Sequence, residues 1–288
     1  MILITGATGK LGTKVIETLL INKIPADKIA ALVRDENKAA TLKEKGIDLR
    51  LGDYDNRASL DKAMEGIEKV LLISALDEGK IVKQHQNVID AAKKAGVSCI
   101  AYTSHCLKDR YSLVNPLMET HFETEDYIKA SGMEYILFRN ILYMDSMAMF
   151  MLGKNVLKTG IQLPAGEGAV SYALRSDEAE AIGNVLSVNE NTSRIYNFTG
   201  NRIYSFNDVA KALSELTGNH IEYSPISLES FKAQKLAAGL PEHAIKMISS
   251  FMTDIMNGQG STVSKDLEEA LGRKPTDLKS GLKLLLNL

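Results

Sequence analysis

Cysteine is nearly absent: Cys99 and Cys106 are the only two in 288 residues. Two thiols cannot build a disulfide framework or a four-thiolate zinc site, so a reducing cytoplasm is the expected setting. An imbalance of charge is absent too. Lys and Arg total 34 against 36 Asp and Glu, a net charge of -2 that gives no general attraction to nucleic acid or an anionic membrane. No run approaches the roughly 18 to 20 apolar residues that a membrane helix needs, and the longest candidate, over 141–152, is broken by Asp145. The amino terminus has no basic segment ahead of its short apolar run, so it reads as a strand and not as a signal peptide. The expectation is a soluble, cytoplasmic protein with neither a membrane nor a nucleic-acid partner. Repeats, low-complexity tracts and long linkers are also missing, while 45% hydrophobic residues suffice for a large core.

What the chain does have is alternation. Short β-branched runs recur between longer amphipathic stretches, which is the pattern of βαβ units and a parallel, doubly wound α/β sheet of the Rossmann type. Strands are expected over 2–5, 29–33, 47–51, 69–74, 99–103 and 135–138, with helices over 10–20, 37–44, 58–64 and 81–95. Gly46, Gly66 and Gly96 stand where helices close. Past Phe138 the rhythm loosens into a stretch rich in Gly, followed by a helix over 176–188 capped by Ser176 and a seventh strand over 194–199. Helices are then expected over 205–216, 228–238, 241–256 and 265–271. The expected organisation is a dinucleotide-binding domain over 1–153, completed by 176–200, and a small C-terminal substrate lobe from 154–175 and 201–288. Open α/β sheets bind ligands at their carboxyl edge, where this lobe is expected to pack.

The strongest local signal is Gly6-Ala7-Thr8-Gly9-Lys10-Leu11-Gly12, between an expected strand and an expected helix. Gly6 permits the sharp turn, Gly9 lets a pyrophosphate approach the main chain, and Gly12 lets the helix lie close to the sheet. Unpaired N–H groups at the helix start then face the anion. An NAD site would end its second strand in an acid; here Arg34 follows Val33, and a guanidinium makes forked bonds to a 2′-phosphate. NADP(H) is therefore the expected cofactor, although Asp35 stands next in line to reach the ribose instead. Two further strand ends should line the trough: Asp53 for the adenine amino group and Ser74 beside the ribose.

These residues, with Ala101-Tyr102-Thr103-Ser104, Leu137-Phe138-Arg139-Asn140 and Tyr143, resemble the NmrA-like, atypical short-chain dehydrogenase/reductases, and among them the type-2 NAD(P)H:quinone oxidoreductases and triphenylmethane reductases. The likeness runs over nearly the whole chain. It implies an NADP-bound Rossmann domain, a small substrate lobe, and hydride transfer to a planar acceptor. Tyr102 joins the expected cofactor contacts.

One departure carries chemistry. Mainstream short-chain dehydrogenases place Tyr-x-x-x-Lys on the helix after the fifth strand. Here Leu117, His121 and Glu125 share one stripe four residues apart, so Leu stands in the Tyr position and His in the Lys position if the register is kept. Reducing an ordinary ketone makes an alkoxide that a positioned acid must protonate. A quinone, or a cationic dye, needs no strong donor. His121, with an ordinary pKa of about 6.5, is expected to be partly charged near neutrality, so that it can serve as a catalytic proton donor or contact substrate or cofactor; the structural alternative is a helix histidine bonded to a ribose hydroxyl or a backbone carbonyl. Asn140 and Tyr143 are expected to hold the carboxamide and wall the acceptor pocket, with Tyr172, Arg175 and Asp177 on the loop side. Ser104 beside His105 lacks a nucleophile-elbow context. His85, His220 and His243 lack ligand spacing, so no metal is expected. The leading expectation is an NADPH-dependent quinone reductase acting on a small molecule, with a homodimer left open. An NADP-binding redox sensor without turnover and a sugar-nucleotide epimerase-like enzyme are the alternatives.

Overall fold

The computed structural model describes residues 1–77, 79–153, 155–188 and 192–288, which divide into two compact units. The first contains Met1–His105, Thr120–Arg139 and Glu178–Tyr196; the second contains Cys106–Glu119, Asn140–Asp177 and Asn197–Leu288.

Strands β1 (Ile2–Ile4), β2 (Ile29–Val33), β3 (Asp48–Leu51), β4 (Lys69–Leu72), β5 (Cys99–His105), β6 (Glu134–Asn140) and β8 (Arg194–Phe198) form one sheet in the order β3-β2-β1-β4-β5-β6-β8. The pairs β1–β2, β2–β3, β1–β4 and β4–β5 are parallel, with Leu3 opposite both Ala30 and Val70. The chain winds outward from β1 to β3, then returns to continue from β4 on the other side, so the topological switch lies between β1 and β4. Every residue of β2 and β4 is buried, the signature of a parallel strand covered on both faces. Helices α1 (Lys10–Ile21), α2 (Ala40–Glu44), α3 (Arg57–Ala63), α4 (Ile81–Lys94) and α5 (Pro116–Ala130) supply the connections. The doubly wound α/β fold expected from the alternation is the fold found.

Local differences have local causes. The helix expected over 37–44 begins as a 3₁₀ turn over Glu36–Ala39, because Asp35 Oδ1 captures the Asn37 N–H at 2.9 Å. Gly46 and Gly96 adopt positive φ directly after the C-cap residues Lys45 and Ala95.

One buried ion pair ties α5 to β6 within the first unit. Glu125, 1% exposed, accepts from Arg139 Nε at 2.8 Å and Nη2 at 2.6 Å, from Ser104 Oγ at 2.7 Å, and from Lys129 Nζ at 3.3 Å. Burial alone would raise its pKa. The bonds from Arg139 and Ser104 and the charges of Arg139 and Lys129 outweigh that, so the carboxyl is held below its ordinary value.

The second unit contains α6 (Met144–Ser146), a π-helical turn (Met147–Met151), α7 (Val156–Thr159), and a small antiparallel pair of β7 (Ala169–Val170) with β9 (Tyr204–Ser205). The Gly-rich stretch past Phe138, where the rhythm loosens, therefore holds short elements. Helix α8 (Arg175–Ser187) starts one residue before the expected position, and Ser176 lies inside it. Asp145 Oδ2 accepts the Arg175 N–H at 3.0 Å, so the helix start is met from another element. Helices α9 (Phe206–Thr217), α10 (Leu228–Ala237), α11 (Glu242–Met256) and α12 (Asp266–Leu271) match the expected tail, and α9 opens with a full capping box of Ser205 and Asp208. Helix α13 (Leu278–Leu286) was not expected. It is capped by Asp277 and carries Gly281 in its middle because Met144 Sδ occupies the space a Cβ would need.

Replacing Glu125 by Ala should cost about 3 kcal/mol in urea unfolding, the low end for breaking a buried pair because Arg139 keeps some solvent access. A carboxyl with a lowered folded pKa stabilises fully above its unfolded pKa and loses that contribution as pH falls through the folded value. The variant should accordingly lose stability less steeply than the wild type on acidification below about pH 4.3, the ordinary glutamate value.

Candidate functional site

The turn from β1 to α1 is built from main chain. Gly6 has φ +55°, and the Gly9 N–H returns to the Gly6 carbonyl at 3.0 Å. A Cβ on Gly12 would lie 2.5 Å from the Gly6 oxygen and 2.9 Å from Ala7 Cα, so no larger residue fits there. Gly9 is the N-cap of α1 and offers no side-chain bond to the first amides of the helix. Gly6, Thr8, Gly9 and Lys10 are exposed, whereas Leu11 and Gly12 are buried. Unsatisfied donors beside an open glycine turn fit a pyrophosphate.

The neighbouring strand ends complete the first unit's edge. Arg34 is exposed immediately after β2, and Asp35, which the sequence left as a rival ribose ligand, is engaged in capping the next turn. Asp53 is half-buried, and its Oδ1 accepts the Asp55 N–H at 2.9 Å. Tyr54 acts as a brace: its hydroxyl bonds Thr5 Oγ1 and donates to the Ile73 carbonyl at 2.9 Å. β4 ends at Leu72, short of the expected 74. The next three amides are nevertheless held, Ile73 by Thr5 Oγ1 (2.9 Å), Ser74 by Thr103 Oγ1 (2.9 Å) and Ala75 by His85 Nε2 (2.8 Å). The sequence reading missed all three anchors. The only signal was that Thr5 and Thr103 sit near carboxyl ends of strands.

Tyr102 corrects an expectation. Its side chain is fully buried in the core cluster of the first unit, and its phenol bonds His121 Nδ1 at 2.8 Å, so that side chain is not available to line a ligand trough. His121 is 9% exposed and lies 6.0 Å from the His105 ring in a stacked arrangement. Burial first, and then the proximity of His85, lower its pKa to about 3 against a weaker opposing pull from Glu125. The expectation of a partly charged His121 near neutrality is thereby overturned: a buried imidazole loses the hydration that stabilises its cation. His105 is likewise lowered to about 3, first by burial and then by His121, and His85 to about 4 by burial. Ser104, considered for a hydrolase pair, donates to Glu125.

In the second unit, Asn140 is buried and its Nδ2 faces the Tyr143 hydroxyl at 3.2 Å, while its Oδ1 has no partner among the described residues. The Arg175 guanidinium lies 4.8 Å over the Tyr143 ring and pairs with Asp145 at 3.4 Å. Tyr172 is buried. Asp177 is engaged elsewhere, accepting from Arg273 Nη2 at 2.9 Å and from the Thr276 N–H at 2.7 Å, so it secures the tail of the chain. Among the described residues no group of three or more His, Cys, Asp or Glu side chains is arranged to hold a metal, and no helix is long and apolar enough to cross a membrane.

A parallel sheet with its switch point beside a glycine turn and an uncapped helix defines a Rossmann-type protein with a main-chain cradle for an anion. The chain belongs to the NmrA-like family, which residues 1–284 match. It is 36% identical over 289 residues to quinone oxidoreductase 2 of Escherichia coli, covering 100% of this chain and 99% of that one. Among solved structures it is similar to Escherichia coli NADPH-dependent quinone oxidoreductase complexed with NADPH, at a TM-score of 0.92 and 35% identity over 100% of both chains. It is also similar to Citrobacter sp. triphenylmethane reductase complexed with NADP(H), at a TM-score of 0.92 and 35% identity over 99% of both chains.

The imidazoles of His85, His105 and His121 should stay neutral from pH 8 down to about pH 5, above the values near 4 and 3 that burial imposes. Nitrogen-15 NMR of the rings across that range checks this; a titration of His121 near its ordinary value of about 6.5 would contradict the buried arrangement.

Proposed function

We propose that this chain is an NADPH-dependent reductase that delivers hydride to a quinone or a related planar electrophile. The reading of the acceptor rests on what α5 offers. Its stripe carries Leu117, a neutral His121 and a Glu125 engaged with Arg139, and none of these can protonate an alkoxide as hydride arrives. An acceptor whose reduced form is a stabilised aromatic anion, or a cation that becomes neutral, does not need such a donor.

NADPH supplies the hydride. In this proposal the turn from Gly6 to Gly12, with Thr8, Gly9, Lys10 and Leu11, holds the pyrophosphate on main-chain N–H groups. Arg34 forks onto the 2′-phosphate, while one carboxylate oxygen of Asp35 is taken by the Asn37 N–H. Asp53 keeps a carboxylate for the adenine amino group, and Ser74 stands beside the ribose. Asn140, whose Oδ1 has no partner among the described residues, is suited to accept an N–H such as that of a carboxamide. Tyr143, held flat under Arg175, is suited to wall a planar acceptor. His121, a buried neutral imidazole, serves as a polar contact and carries no proton-transfer role. The division expected from the sequence, a cofactor domain over 1–153 completed by 176–200 and a substrate lobe over 154–175 and 201–288, is part of the same proposal. Cys99 and Cys106, both buried and neither in a disulfide, support residence in a reducing cytoplasm.

Purified protein mixed with NADPH and a panel of quinones should oxidise the nucleotide faster than the uncatalysed reaction; tight NADPH binding without turnover on any of them would favour the sensor alternative. Arg34→Ala should weaken NADPH binding about 10- to 100-fold, the equivalent of a lost charge-assisted bond or two, and leave NADH binding nearly unchanged. An equal loss for both nucleotides, followed by nicotinamide fluorescence in a chain that has no Trp, would remove the 2′-phosphate assignment.

A further inference from the structure

The three anchored amides after β4 are not held alike. Thr5 directly follows β1 and Thr103 lies on β5, the two neighbours of β4 in the sheet, and a hydroxyl accepts a bond in several orientations. His85 reaches the Ala75 N–H from α4, and an imidazole accepts only at its one unprotonated nitrogen. That nitrogen is fixed by the other. Nδ1 lies 2.8 Å from Thr124 Oγ1, and the Thr124 hydroxyl itself donates to the Thr120 carbonyl at 2.8 Å. Thr124 must therefore accept from His85, which sets the proton on Nδ1 and leaves Nε2 as the acceptor. The ring is fully buried and lies edge-on to Tyr102, with centroids 5.3 Å apart. Burial lowers its pKa to about 4, so the acceptor persists at neutral pH. Beyond Ala75 the chain comes into the open at Leu76, which is 85% exposed, and the His85 bond is the last of the three before that point.

We propose that His85 is a positioning residue for the nicotinamide-side half of the cofactor: through the Ala75 amide it holds segment 73–75 in the shape against which that half binds. The proposal rests on the cofactor site described under Proposed function. The half is chosen by sheet order. Arg34 follows β2 on one side of β1 and segment 73–75 follows β4 on the other, while a dinucleotide lies across the switch point with its pyrophosphate at the end of β1. If Arg34 takes the 2′-phosphate of the adenosine half, segment 73–75 faces the remaining half.

Two substitutions separate the nitrogens. In His85→Gln the terminal amide can reach Ala75, whereas in His85→Asn the shorter amide can reach Thr124 only. The wild type and both variants are titrated with NADPH by nicotinamide fluorescence and with adenosine 2′,5′-bisphosphate, which has the 2′-phosphate half alone, by calorimetry. His85→Asn should raise the Kd for NADPH about tenfold, in line with one buried donor left unmet, and leave the Kd for the bisphosphate unchanged. His85→Gln should recover most of the NADPH affinity. Thr124→Val, which keeps the Ala75 acceptor but frees the ring, should raise the NADPH Kd about threefold and provides a test should His85→Asn fail to fold. Equal losses for both ligands, or unchanged NADPH binding in His85→Asn or Thr124→Val, would overturn the role given to His85. A wild type that binds neither ligand would instead overturn the cofactor reading, and His85 with it.

Discussion

A close approach of main chain to main chain governs this molecule: Gly12 lies against the Gly6 carbonyl with no space for even a methyl group between them. The contact fixes how α1 leaves β1, and Gly9 at its N-cap supplies no side-chain bond to the first amides of the helix. Parallel pairing then brings the ends of β2, β3 and β4 to the same edge, because their registers are set against β1 and one another. Arg34, Asp53 and Ser74 owe their position to that pairing more than to any contact of their own.

What the sequence disclosed was local or periodic. Parallel strands buried on both faces appear as unbroken apolar runs, so β2 and β4 were visible, and the glycine turn was visible because all its requirements fall within a few consecutive residues. What it hid was supplied from far along the chain. Ser176 looked like a cap because nothing nearby suggested Asp145 for the task. α13 escaped notice because a mid-helix glycine normally argues against helix, and the reason for Gly281 is Met144. Tyr102 seemed a trough residue from its place at a strand end, yet its phenol turns inward to His121. The anchors of segment 73–75 come from three separate elements, and no spacing rule links Thr5, Thr103 and His85.

The histidines and the acid of the first unit form a fixed background and not a set of titrating groups. His85, His105 and His121 are neutral through burial, and Glu125 is charged through its bonds to Arg139 and Ser104. Such an arrangement holds shape and polarity constant while the reactive electrons come from elsewhere, which suits a protein whose contribution is orientation. In the second unit, Arg175 locks Tyr143 from above while Asp145 holds both the guanidinium and the amide of Arg175, so a flat aromatic surface is kept rigid by a charge pair.

Arg34 differs from these groups because it stands in solvent. Mobile ions crowd an exposed guanidinium, and at physiological ionic strength they damp its field within about 8 Å. If Arg34 holds the 2′-phosphate as proposed, the preference it confers between phosphorylated and plain nucleotides narrows as salt rises, and that selectivity would belong partly to the electrolyte around the chain.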